Sequence, residues 1–110
     1  MKASKIIFDV ELDNDDIPEK IRWNASDKGD STLQEIKSVS ISLWDHESKT
    51  TMRIDLWTKE MPVEEMKRFC IDCIGGLAQT VLNATGDKHM ADELNKTCDN
   101  LVEYLKKESN

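Results

Sequence analysis

Apolar residues recur at every second position through the first half of the chain and at every third or fourth position through the second half. In residues 6–12, Ile6, Phe8, Val10 and Leu12 alternate with Ile7, Asp9 and Glu11, the period of a half-buried strand. Asp13-Asn14-Asp15-Asp16 follows as a turn, because short polar side chains satisfy local backbone donors. A second strand over roughly 17–24 carries Ile17, Ile21 and Trp23 on one parity. Pro18 has no N–H to donate, which places that strand at a sheet edge. Residues 24–32 are polar, contain Gly29 and are too long for a tight hairpin, so they read as a crossover.

The clearest hairpin follows. Val39, Ile41 and Leu43 alternate with serines and Trp44, and Met52, Ile54 and Leu56 alternate with Arg53, Asp55 and Trp57. Folding about Glu47-Ser48 sets Leu43 opposite Met52, Ile41 opposite Ile54 and Val39 opposite Leu56. A slip of one residue would send these partners to opposite faces, so the register is well specified.

From Pro62 the period changes. Val63, Met66, Cys70, Cys73, Ile74, Leu77 and Val81 form one helical stripe, with Glu64 and Glu65 near the positive end of the dipole. Pro62 suits the helix start, and Thr85-Gly86-Asp87 ends this helix and caps the next. Met90, Leu94, Cys98, Leu101 and Leu105 give the second helix its stripe. The expected fold is α+β: a single domain over 1–110, with one four-stranded antiparallel sheet and helices near 62–84 and 87–106 on one face. The edge-type second strand and the crossover favour strand order 2-1-4-3.

Composition narrows the function classes. The chain has 110 residues and a net charge of −7, which opposes binding to nucleic acid and to anionic lipid surfaces. Its longest apolar runs are far below the roughly 20 residues that cross a bilayer, so no membrane insertion is expected. The start leads straight into a strand-like pattern with no export signal, giving a cytoplasmic reading. Three cysteines in such a chain read as free thiols.

Candidate chemistry is sparse. Cys70-Ile71-Asp72-Cys73 lies inside the helix, not at an N-terminus where the dipole would activate a thiol, so both cysteines read as buried core. Asp13-Asn14-Asp15-Asp16 lacks the glycine and closing glutamate of a calcium loop. His46 and His89 have no nucleophile-and-carboxylate pattern around them and read as surface residues. The expectation is a non-enzyme with no cofactor and no metal. The feature that stands out is the second face of the hairpin, where Trp44, Arg53, Asp55 and Trp57 project among serines. An open antiparallel face is usually polar, so these residues mark either a protein-interaction surface or a local Trp–Arg packing cluster. A second copy of the chain and a different protein would both satisfy such a surface.

The run from Arg53 to Phe69, Arg-Ile-Asp-Leu-Trp-Thr-Lys-Glu-Met-Pro-Val-Glu-Glu-Met-Lys-Arg-Phe, resembles the signature stretch of the gliding-motility protein GldC family of Bacteroidota. Ser42-Leu43-Trp44-Asp45, Ala84-Thr85-Gly86-Asp87 and Met90-Ala91-Asp92 resemble that family in the same order. The resemblance implies a cytoplasmic accessory protein of gliding motility acting through protein–protein interaction, with no catalytic residue, cofactor or ligand to carry over. The order of strands and helices is also similar to the SecB-type export chaperone. That topology implies the rival reading, a chaperone or adaptor that binds client proteins for secretion.

Overall fold

A computed structural model of the chain describes residues 1–29 and 32–108. The chain divides into two compact units, Met1–Met61 and the remainder from Pro62, and each is described by itself. The α+β class holds, with antiparallel strands followed by two helices.

The first unit contains β1 (Ile6–Leu12), β2 (Pro18–Ala25), β3 (Gln34–Ile36), β4 (Ser38–Trp44) and β5 (Thr51–Trp57). They form two antiparallel sheets, β1-β2-β3 and β4-β5, in place of the expected single four-stranded sheet with order 2-1-4-3. Two local causes account for this. Pro18 is the first residue of β2, paired with Leu12 just past an irregularity at Glu11/Leu12, so its missing N–H costs no ladder bond. β2 is therefore the central strand of its sheet, not an edge. The polar segment after it holds a 3-10 turn at Ser26–Lys28, closed by Gly29 at φ 85°, before β3 returns against β2. Within the expected crossover, residues 30 and 31 lie outside the described residues.

Cross-strand partners share a sheet face, so the register identifies the core. Phe8 faces Trp23, Val10 faces Ile21, and Ile21 faces Ile36. Ile21 is fully buried at the centre of this row. The opposite face pairs Asp9 with Arg22, Glu11 with Lys20 and Arg22 with Glu35, an alternation of charge suited to water. Lys37 bends the chain between β3 and β4, and its carbonyl accepts the Thr58 N–H at 2.9 Å. The next amide, Lys59 N–H, donates to the Pro18 carbonyl at 3.1 Å, tying the end of β5 to the start of β2. Thr58 is buried at this junction, and its Oγ1 has no hydrogen-bond partner.

The acidic turn after β1 is structural. Asp13 Oδ1 accepts the amides of Asp15 at 2.8 Å and Ile17 at 3.0 Å, and Lys59 Nζ sits 2.9 Å from Asp13 Oδ2. Lys59 also reaches Glu19 at 3.0 Å. The backbone N–H of Ile17 is the main reason the Asp13 carboxyl titrates below its ordinary value, followed by Lys59.

The second unit is a helical hairpin, α1 (Val63–Thr85) and α2 (Lys88–Glu108). Both fall where the apolar spacing predicts them. Gly86 adopts φ 72°, a left-handed conformation that glycine takes without Cβ strain, and its N–H donates to the Leu82 carbonyl at 3.0 Å. Asp87 Oδ1 then accepts the Met90 amide at 3.0 Å and caps α2.

The seam between the helices differs from the expected stripe. Ala78 and Ala91 are the buried contacts, and a Cβ built on Gly75 would lie 3.9 Å from Cys98 Sγ. The Cys98 thiol donates to the Ile71 carbonyl at 3.6 Å, and Lys67 pairs with Glu108 at 3.1 Å. Small residues let the backbones approach. The seam of α1 thus runs through Lys67, Ile71, Gly75 and Ala78. Along α2 it follows Ala91, Leu94, Cys98, Leu101 and Leu105, close to the expected stripe. The α1 stripe through Val63, Cys70 and Leu77 is rotated about a quarter-turn away from that seam. Cys70 is consequently exposed and Cys73 only half-buried, so the expectation of two core thiols is corrected. Gly76 faces open space and carries no packing role.

Candidate interaction surface

β4 and β5 pair in the expected register: Val39 with Leu56, Ile41 with Ile54, and Leu43 with Met52. The connecting turn is held by Asp45. Its Oδ2 accepts the amides of Ser48 at 2.7 Å and Glu47 at 3.2 Å, which keeps its carboxyl below the usual range, and Lys49 takes φ 57°. This register puts Ser40 opposite Asp55, Ser42 opposite Arg53, Ser38 opposite Trp57 and Trp44 opposite Thr51. The four residues singled out in the sequence therefore share one face of the ribbon.

Arg53 organises the middle of that face. Its Nη1 donates to Ser42 Oγ at 2.6 Å and its Nη2 to Ser40 Oγ at 2.6 Å. Nε and Nη2 also grip the two oxygens of Asp55, at 3.1 Å and 2.8 Å. Ser40 Oγ donates to Asp55 Oδ1 at 2.7 Å, which closes the network. A guanidinium fork meeting a carboxylate with two parallel bonds fixes geometry as well as charge. Arg53 first, and then the Ser40 hydroxyl, hold the Asp55 carboxyl below its ordinary pKa.

The tryptophans stand at the two ends. Trp44 is 68% exposed beside the turn, and Trp57 is 51% exposed at the other end of β5. Six residues of strand separate these ends, about 20 Å at 3.4 Å per residue. They are thus two separate aromatic projections with a rigid ionic centre between them. Trp57 also walls a cavity of about 260 Å³ with Asp16, Ile17, Pro18, Asp55 and Leu56. The contribution of Asp16 to Pro18 was not legible beforehand, since nothing in that turn signals proximity to β5. His46 and His89 are exposed. No helix among the described residues is long and apolar enough to cross a membrane.

These elements define a small α+β protein of antiparallel strands and a helical hairpin, carrying an aromatic and ionic strand face. The Gliding motility-associated protein GldC-like family matches residues 18–107, and the chain belongs to that family. The match takes in β2 through nearly all of α2, including all four residues of the candidate face. No curated protein matches the chain, and no solved structure matches it.

Proposed function

We propose that this chain is a non-enzymatic accessory protein of bacterial gliding motility that acts by binding protein in the cytoplasm through Trp44, Arg53, Asp55 and Trp57. Family membership supports the biological setting. The single observation that carries the surface is the pair of exposed tryptophans flanking a pre-ordered Arg53–Asp55 network. Aromatic and arginine side chains dominate interface energies because they bury much area while fixing few rotors. Arg53 is already locked by its serines and Asp55, so association orders little that is not ordered beforehand. Asp13, Asp45, Asp55 and Glu108 are each engaged by hydrogen bonds within the fold, which hold their carboxyls below the ordinary value.

The test is Trp57→Ala in the full chain, assayed by pull-down from a gliding bacterium alongside thermal melting. The expected result is association weakened by about 2 kcal/mol or more with the fold retained. Unchanged association would remove the proposal. Loss of the fold would show instead that Trp57 belongs to a local packing cluster. Recovery of a broad set of unfolded clients, insensitive to the substitution, would favour the chaperone reading.

A further inference from the structure

Strand β1 forms one edge of the β1-β2-β3 sheet, and no strand pairs with its outer side among the described residues. The ladder determines which backbone groups point there. Ser26 N–H donates to the Lys5 carbonyl at 2.9 Å, and these residues stand opposite each other in the register that sets Ile6 against Ala25. Opposed antiparallel residues exchange bonds at every second position. Lys5, Ile7, Asp9 and Glu11 therefore turn their N–H and C=O groups toward β2, while Ile6, Phe8 and Val10 turn theirs outward. The side chains along this edge are largely apolar. Ile6 is 66% exposed, Ile7 49% and Phe8 37%, and neither proline nor lysine interrupts Ile6–Leu12. Sheet edges are ordinarily blunted by such residues or kept from further pairing by a cover. A helix cannot answer the outward N–H and C=O groups, since its own backbone groups are already paired with one another.

We propose that β1 pairs with β1 of a second copy, antiparallel across a two-fold axis at Phe8, joining two β1-β2-β3 sheets into one continuous sheet. The register follows from the side chains. An axis at Phe8 sets Ile6 opposite Val10 of the second copy and Phe8 opposite its counterpart, so apolar residues meet on one face. On the other face Lys5 stands opposite Glu11 of the second copy at both ends, with Ile7 opposite Asp9 between them. An axis at Asp9 would oppose two identical carboxylates, which is destabilising. An axis at Ile7 would leave Val10 opposite Ser4, which lies outside β1. A two-fold interface needs one patch that complements itself, and residues 5–11 form such a patch. This edge belongs to a different sheet from Trp44, Arg53, Asp55 and Trp57, so the pairing is independent of the face proposed above.

The experiment is sedimentation equilibrium of the full chain up to about 1 mM, with amide hydrogen exchange read residue by residue at the two ends of the concentration range. A dimer is expected at ~0.15 M salt, where repulsion between two chains of charge −7 is screened. The Ile6, Phe8 and Val10 amides should exchange at least about tenfold more slowly at the high-concentration end. Those of Ile7, Asp9 and Glu11, bonded to β2, should change little. This readout does not depend on a variant folding. Ile6→Pro removes an outward N–H at the exposed first residue of the strand, a place where proline is tolerated within the monomer. It deletes two bonds across the axis and should weaken dimerisation at least about tenfold. Lys5→Glu should weaken it about threefold or more, and adding Glu11→Lys should recover it, because the swap restores opposite charges. A monomer up to about 1 mM overturns the proposal. So does a dimer whose Ile6, Phe8 and Val10 amides exchange independently of concentration, or one that Lys5→Glu weakens and the added Glu11→Lys fails to recover.

Discussion

Ile21→Ala tests the core of the strand unit. Ile21 is fully buried, with Val10 opposite it on one side and Ile36 on the other. The substitution removes three carbons, worth about 2.4 kcal/mol at ~0.8 kcal/mol each. The row cannot close fully around the gap, because Val10 and Ile36 are fixed by their own ladders, so a cavity term adds to the loss. The expected cost is about 3–4 kcal/mol. Ile54→Ala supplies the contrast: the same atoms are removed from an exposed position, and the expected cost is about 1 kcal/mol. Urea titration would read the difference as a midpoint shift of about 1–2 M for Ile21→Ala. All three tryptophans, Trp23, Trp44 and Trp57, lie on strands, so fluorescence reports the first unit while circular dichroism at the helix band reports the hairpin. Coincident transitions by the two probes would show one cooperative domain. A cost below about 1 kcal/mol for Ile21→Ala, or one no larger than for Ile54→Ala, would refute the assignment of the core.

Two further substitutions address single interactions. Thr58→Val keeps the shape of a buried side chain and deletes an unpartnered hydroxyl, so it should stabilise the protein by about 1 kcal/mol in the same titration; destabilisation would mean the hydroxyl has a partner. Asp13→Asn keeps an acceptor for the Asp15 and Ile17 amides and removes the charge facing Lys59. Because folding lowers the Asp13 pKa, its contribution is complete above the unfolded value near pH 4 and is lost as pH falls through the folded value. The variant should therefore be less stable than the parent at pH 7, with the gap closing in acid. A constant gap from pH 7 to about pH 2 would contradict this linkage.

Period and register carried most of what the sequence revealed. The β4–β5 pairing was legible because six apolar residues on two strands admit one alignment that keeps them together. The helix ends were legible because Pro62, Gly86 and Asp87 act locally through φ and capping. The sheet assignment was not legible, since it depends on distant backbone bonds such as Lys59 N–H to the Pro18 carbonyl. Pro18 illustrates the ambiguity: a proline is tolerated at a strand's edge and at its first residue alike, and only the pairing partner distinguishes them. The short strand β3 was hidden for a similar reason, because three residues are too few for a period.

The surfaces divide along the same line. Alternation showed that Trp44, Arg53, Asp55 and Trp57 share a face, because period two determines sidedness without reference to anything else. It did not show that Ser40 and Ser42 would complete the Arg53 network, although their place opposite Asp55 and Arg53 follows from the same register. The α1 stripe shows the converse limit. Helical spacing identified Val63, Cys70 and Leu77 as one face, but α2 packs a quarter-turn away, where Gly75 and Ala78 permit closer approach. Periodicity thus identifies an apolar face, whereas the size of the side chains decides which face meets the neighbouring helix.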